Sequence, residues 1–174
     1  KSYAHSIFQR WSDIHGKVEL SSLFDLQLGK MLSGKSRPTE SNSHPYLANA
    51  NVQWRHFDLE EVKRVALSDS DKTKFLLRPG DVLVCEGGEV GRAAVWEGEV
   101  SPCYYQKALH RLRQRSDSNF PGELVVEFLE WMALSGRLAR FAGGTTFKHL
   151  TEVTLQSLKI PVPSEVEQQD FLSA

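Results

Sequence analysis

The chain has 174 residues, 40% apolar and 25% charged, with 21 Lys and Arg against 22 Asp and Glu. That size and mixture suit one folded domain, or one with an appendage, and exclude a disordered or low-complexity polymer. No apolar run approaches the ~18 residues of a membrane span, and Lys1-Ser2-Tyr3-Ala4-His5 carries no signal-peptide pattern.

In chain order, Val18-Glu19-Leu20 with Ser21-Ser22 leads to Phe24-Asp25-Leu26, which predicts an edge strand or a turn. Residues 30–46 are rich in Gly, Ser, Lys, Pro and Asn and predict an exposed loop. A strand is predicted from Tyr46 to Val52, and a short helix or turn opening at Asp58, with acids at its start. Leu76-Leu77-Arg78-Pro79-Gly80-Asp81 predicts a tight turn, because Pro presets one φ and Gly permits a positive one. Val82-Leu83-Val84-Cys85 then reads as a buried strand, Gly87-Gly88 and Gly91 as a loop, and Arg92 to Trp96 as the next strand. Tyr104 to Leu112 alternates as one further strand.

Val125, Val126, Leu129, Met132 and Ala133 fall at helical spacing and predict the one long helix, extended by Leu138 and Phe141 and stopped at Gly143-Gly144. Thr151 suits the N-cap of a short helix, and Ser164 with Glu167 forms a capping box for the last one. That last helix has barely begun at Ala174, which suggests a domain taken from a longer chain. The expected fold class is α+β: a strongly twisted β-sheet body with one long helix and a short C-terminal helix start.

The net charge of −1 argues mildly against a nucleic-acid binder, but its distribution softens that. Residues 1–37 hold six Lys and Arg against three acids, and residues 104–149 hold seven against four. Residues 38–103 run the other way, seven against eleven, as do residues 150–174, one against four. A protein that binds DNA on one face and a partner on another can look neutral overall. The two cysteines, Cys85 and Cys103, lack metal-ligand spacing and read as reduced thiols of a cytoplasmic protein; neither a metal nor a cofactor is expected.

Catalytic motifs are missing. Gly87-Gly88-Glu89-Val90-Gly91 is not GxGxxG, and the chain has no GxxxxGK[ST], GxSxG or HExxH. Asn42-Ser43-His44-Pro45-Tyr46 lacks the paired prolines of adenine methyltransferases. Glu86, Glu89 and His149 remain as scattered residues from which a hydrolase or nuclease would have to be built, and a pure protein-interaction module is disfavoured by the basic segments.

Lys30, Ser33, Lys35 and Arg37 stand in a polar Gly/Ser loop of the kind phosphate contact requires. Arg92 and Lys107 stand at strand ends, and Tyr104 and Gln106 are expected to share a strand face, where Gln can read adenine. Gly143-Gly144 frees the backbone ahead of Thr145, Thr146, Lys148 and His149, a candidate DNA-facing loop.

Five segments in order carry a resemblance: Leu28 to Lys35, Pro45 to Gln53, Leu77 to Val84 with Val90-Gly91-Arg92, Gly143 to Leu150, and Ile160-Pro161-Val162-Pro163 with Glu167-Gln168. Together they resemble a target-recognition domain of the DNA-specificity subunit of type I restriction-modification systems, across most of residues 20–172. The resemblance implies a non-catalytic module that reads half of a bipartite site in double-stranded DNA. It implies methyltransferase (modification) subunits as partners, a restriction subunit joined through the complex, and a second recognition domain or a homodimer. It divides the chain into a recognition domain, residues 1–163, and the start of a coiled-coil spacer helix, residues 164–174. Similar domains occur in single-chain restriction-methyltransferases, which stays open as the alternative.

Overall fold

The computed structural model describes residues 2–34, 37–142 and 149–174. Helix α1 (Ser2–Ile14) leads into strand β1 (Lys17–Glu19), the one-turn helix α2 (Leu20–Leu23) and strand β2 (Phe24–Leu28). Strands β3 (His44–Leu47) and β4 (Lys63–Val65) follow, then helix α3 (Asp69–Lys74), strands β5 (Val82–Cys85) and β6 (Ala93–Val95), and strands β7 (Tyr104–Tyr105) and β8 (Leu109–Gln114). Helices α4 (Gly122–Leu134), α5 (Arg137–Phe141) and α6 (Glu152–Gln156), strand β9 (Lys159–Pro161) and helix α7 (Glu165–Leu172) complete the chain. The α+β expectation is met.

A four-stranded antiparallel sheet, ordered β2-β8-β5-β6, is the middle layer. Side chains alternate across a strand, so β5 is buried at all four residues because both its faces are covered. Val82 and Val84 face one core with Phe8, Leu112, Leu124, Phe128 and Leu129; Leu83 and Cys85 face another with Leu47, Trp96, Tyr105 and Leu109. Helices supply the first core. A smaller sheet, ordered β4-β3-β7, supplies the second. Strands β1 and β9 form a separate antiparallel pair.

The turn before β5 forms as expected: the Asp81 amide donates to the Arg78 carbonyl at 3.0 Å, and Gly80 takes φ +89°. The Asp81 carboxylate, 1% exposed, accepts both Arg113 Nε and Nη2 at 2.7 Å and the Arg78 amide at 2.8 Å. Arg113 thus clamps the turn to β8. Thr151 and Ser164 cap α6 and α7 as their sequences predict.

Four expectations need correction. Helix α1 lies where no element is predicted, although Ala4, Phe8 and Trp11 sit at helical spacing and Phe8 and Trp11 are buried. The strand predicted from Tyr46 to Val52 starts earlier, at His44, inside the stretch predicted as an exposed loop, because Pro45 and Tyr46 are buried; it ends at Leu47 and gives way to a 3-10 turn, Asn49–Asn51. The Asn51 side chain drives that turn: it accepts the Ala48 amide at 2.8 Å and donates to the Asp58 and Glu61 carbonyls, each at 2.9 Å. The long helix stops at Leu134 instead of running to Phe141, because Gly136 adopts φ +68° and restarts the chain as α5.

The fourth correction bears on the site. Tyr104 to Leu112 is not one strand. Strand β7 pairs in parallel with β3, whereas β8 pairs with β2 and β5. The chain steps between sheets at Gln106 to Ala108, where the Leu109 amide donates to the Gln106 carbonyl at 3.0 Å. The Gln106 amide still donates to the Leu47 carbonyl at 3.1 Å, so Gln106 continues the β7 alternation from Tyr104 and the break falls just after it.

Candidate nucleic-acid interface

The step between the sheets is made by a glycine on the neighbouring segment. The Gly29 amide donates to the Leu109 carbonyl, and the Lys30 amide to the Tyr105 carbonyl, both at 3.0 Å. The Lys107 amide returns to the Lys30 carbonyl at 2.9 Å, and Lys30 bridges Gln106 in parallel. A Cβ on Gly29 would stand 2.2 Å from the Gln106 carbonyl oxygen, so no larger residue fits. This close crossing brings together Lys30, Gln106 and Lys107, with Lys107 exposed on the turn and Gln106 half-buried.

Lys30 does not project freely. Its Nζ lies 3.0 Å from Asp71 Oδ2 on α3. Burial pushes the Asp71 carboxyl up, but hydrogen bonds from Lys30 and Ser68 outweigh it and hold the group below its ordinary value. Tyr104 is buried, its ring edge-on to His44 at 5.7 Å between centroids. Burial first raises its pKa, and the Lys72 charge lowers it in part.

His149 is exposed, but the residue after it is firmly held. The Leu150 amide donates to the Glu86 carbonyl at 2.7 Å. The Leu150 carbonyl accepts from Nε2 of the fully buried His110 at 2.6 Å, which assigns the proton to that nitrogen. Two residues on, Glu152 accepts the Leu28 amide at 3.1 Å, and Leu28 is in register with His110 on β8. The segment carrying His149 is thereby fastened to the end of β2, two residues before Lys30. Burial holds the His110 pKa below its ordinary value, opposed by the Leu150 hydrogen bond and by the charges of Glu86 and Glu152.

Arg92 belongs to another neighbourhood. Its side chain is 14% exposed, with Nη1 3.1 Å from Glu89 and Nη2 donating to the Asn49 carbonyl at 3.0 Å. The other Glu89 oxygen accepts Trp54 Nε1 at 2.7 Å. Both oxygens of Glu89 are thus engaged, which removes it as a free catalytic acid. Beside Arg92, burial pushes the Cys85 thiol up to about 11, and burial also takes Cys103 to about 12, so both thiols stay protonated at neutral pH.

Ser33 and Arg37 are exposed. Lys35, Thr145, Thr146 and Lys148, with Gly143-Gly144, lie outside the described residues. Sequence reasoning passed over two further cations near this surface, Arg64 on β4 and Lys72 on α3, because they fall in the acid-rich stretch of residues 38–103. Strand pairing shows their placement; segment charge does not.

A family model described as the type I restriction modification DNA specificity domain matches residues 15–173. The chain belongs to this family. The family is one of DNA specificity, not of catalysis, and the nuclease alternative is not favoured. Three solved structures share the specificity-domain fold. One is a chain from work on the structural basis of complex assembly and conformational transition of the type I R-M system (21% identity, TM-score 0.67), matched over 91% of this chain and 36% of that one. The second is the HsdS subunit from Thermoanaerobacter tengcongensis (18% identity, TM-score 0.68), matched over 99% of this chain and 42% of that one. The third is the S subunit of a type I restriction-modification system from M. genitalium (23% identity, TM-score 0.52), matched over 91% of this chain and 37% of that one. The chain therefore spans about two-fifths of the length of the solved chains it matches. Among its described residues, no helix is long and apolar enough to cross a membrane.

Proposed function

We propose that this specificity domain reads one half of a bipartite target in double-stranded DNA, in the cytoplasm, and directs the methyltransferase and restriction subunits of a type I restriction-modification system to it. The observation that carries the reading is the Gly29 crossing, which presents Lys30, Gln106 and Lys107 together in a member of a DNA-specificity family. Phosphate contacts fix register and base-edge contacts supply sequence, so one module needs both from rigidly held segments. Lys30, Lys35, Arg37, Lys107 and Lys148 are the proposed phosphate anchors, with Arg92, held by Glu89 and the Asn49 carbonyl, as a support away from the crossing; Ser33, Gln106, Thr145, Thr146 and His149 are the proposed contacts nearer the bases, with buried Tyr104 as their support.

Within this reading, residues 1–163 recognise DNA and residues 164–174 begin a spacer helix that sets the distance to a second recognition domain. A methyltransferase needs an unstacked base and leaves the choice of site to another module. The reading is tested by adenine methylation of plasmid DNA by the modification subunits with and without the complete specificity protein. Methylation at one discrete set of sites, only with that protein present, is expected. Equal methylation in its absence would contradict the reading.

A further inference from the structure

We infer that the β3–β4 edge of the domain carries a second phosphate-contacting face, formed by Arg64 and Lys72 beside His44, and that its ligand is the backbone of duplex DNA. The inference rests on the DNA-specificity reading and deepens it. Arg64 is exposed on β4, an edge strand. Ser43 orients its guanidinium, accepting Nε through the hydroxyl at 2.7 Å and Nη2 through the carbonyl at 2.5 Å. None of the ion pairs among the described residues includes Arg64. Lys72 pairs with Asp69 at 3.2 Å, but the Asp69 side chain is fully exposed, so solvent screens that pair.

The charges of both cations act on His44. It pairs with Val65 in the β3–β4 register, next to Arg64, and its ring packs edge-on against Tyr104. Its Nε2 is enclosed without a hydrogen-bond partner among the described residues. Burial first, then the charges of Lys72 and Arg64, hold its pKa below the ordinary value. Two cations with little acid to balance them, around a histidine kept neutral, repel one another in the free protein and attract a polyanion.

The neighbours favour DNA over an acidic protein. Lys30 is tied to Asp71 on α3, the helix that also carries Lys72, and Lys107 to the Lys30 backbone, so α3 links the new face to the Gly29 crossing. Arginine with a fixed guanidinium suits phosphate. A protein partner would want an apolar anchor at the centre; among the described residues no exposed large hydrophobic side chain lies on β3, β4 or α3, and Met31, exposed beside Lys30, stands at the margin of the face and not at its centre.

The test is fluorescence anisotropy of the chain on a random-sequence duplex across a salt series. Arg64→Gln and Lys72→Gln should each lower the slope of log affinity against log salt by about 0.9, the value for one phosphate no longer neutralised. Arg64→Lys should keep the slope, and Lys159→Gln, on the separate β1–β9 pair, should leave it alone. The His44 imidazole, followed by NMR, should titrate at higher pH when duplex is added to the unaltered chain, and should not shift in the double Gln variant. If the chain binds duplex and both Gln variants keep its slope, this inference is overturned and the DNA reading stands. If the unaltered chain binds no duplex, the DNA reading falls with it. Gln variants that bind duplex normally but no longer assemble with the modification subunits would make this a protein-docking face and overturn the inference.

Discussion

At the scale of single residues, Gly29 holds the candidate interface together. Its Cα approaches the Gln106 carbonyl so closely that a methyl group would stand 2.2 Å from the oxygen, and both partners are backbone. Gly29→Ala should cost about 1–3 kcal/mol in urea unfolding, the range for overpacking, and should weaken duplex binding by displacing Lys30 from Gln106. Gly16→Ala, where an added Cβ meets nothing within 4 Å, should be close to neutral in the same measurement.

Histidine titration gives a second residue-scale prediction. The folded-state pKa of His110 lies below its ordinary 6.5, because burial disfavours the charged ring, and His44 is lowered in the same direction. The unfolded chain therefore binds more protons than the folded one as pH falls through that value. Stability is fully present above about pH 6.5 and is lost as pH drops toward the folded pKa values. Urea midpoints measured from pH 7.5 down to 5.5 should fall, and His110→Gln should start less stable but lose less over that interval. A midpoint flat across the range would remove buried neutral His110 from the account.

At the scale of elements, short helices are held by packing, not by propensity. Helix α7 has eight residues, too few to persist alone. Phe171 seats it on α1, with its ring 5.3 Å from both Phe8 and Trp11 and stacked at 6.2 Å on Tyr3. Gln168 Nε2 donates to the Pro163 carbonyl at 2.9 Å, and His15 lies 3.1 Å from Glu167. Phe171→Ala should strip hydrogen-exchange protection from α7 while α4, whose Leu124, Val125 and Leu129 are fully buried, keeps its own. Equal loss in both helices would mean that α7 is integral to the central core.

The same scale shows what the sequence made legible. The Pro79-Gly80 turn, the β5 run and the Thr151 and Ser164 caps are local chemistry, and each stands where its residues predict. The break between β7 and β8 is not local. Alternation continues through Gln106, and only the pairing of β7 with β3 and of β8 with β2 separates the two strands. Helix α1 had a readable signal in Ala4, Phe8 and Trp11, but its face becomes a core face only against Phe128, Trp131 and Phe171. Of the candidate site, Lys30, Gln106 and Lys107 were readable by type. Their convergence came from Gly29 meeting a backbone 77 residues later, which no window reveals.

At the scale of the whole molecule, a net charge of −1 conceals a division of labour. Lys30, Lys107, Arg64 and Lys72 gather around the β3–β7 sheet, drawn from segments of opposite average charge. Acids cap α7, where Ser164 holds Glu167 below the ordinary carboxylate range. This polarity suits a module that meets DNA on one side and the rest of an assembly elsewhere. The most direct measurement of the central claim is selection from a randomised duplex pool by this chain at low salt, followed by sequencing. Enrichment of one short motif, a single half-site, is expected, fading into non-specific binding when Gln106 is changed to Ala. A retained pool as random as the input, or no retention at all, would contradict the claim that this chain reads DNA sequence.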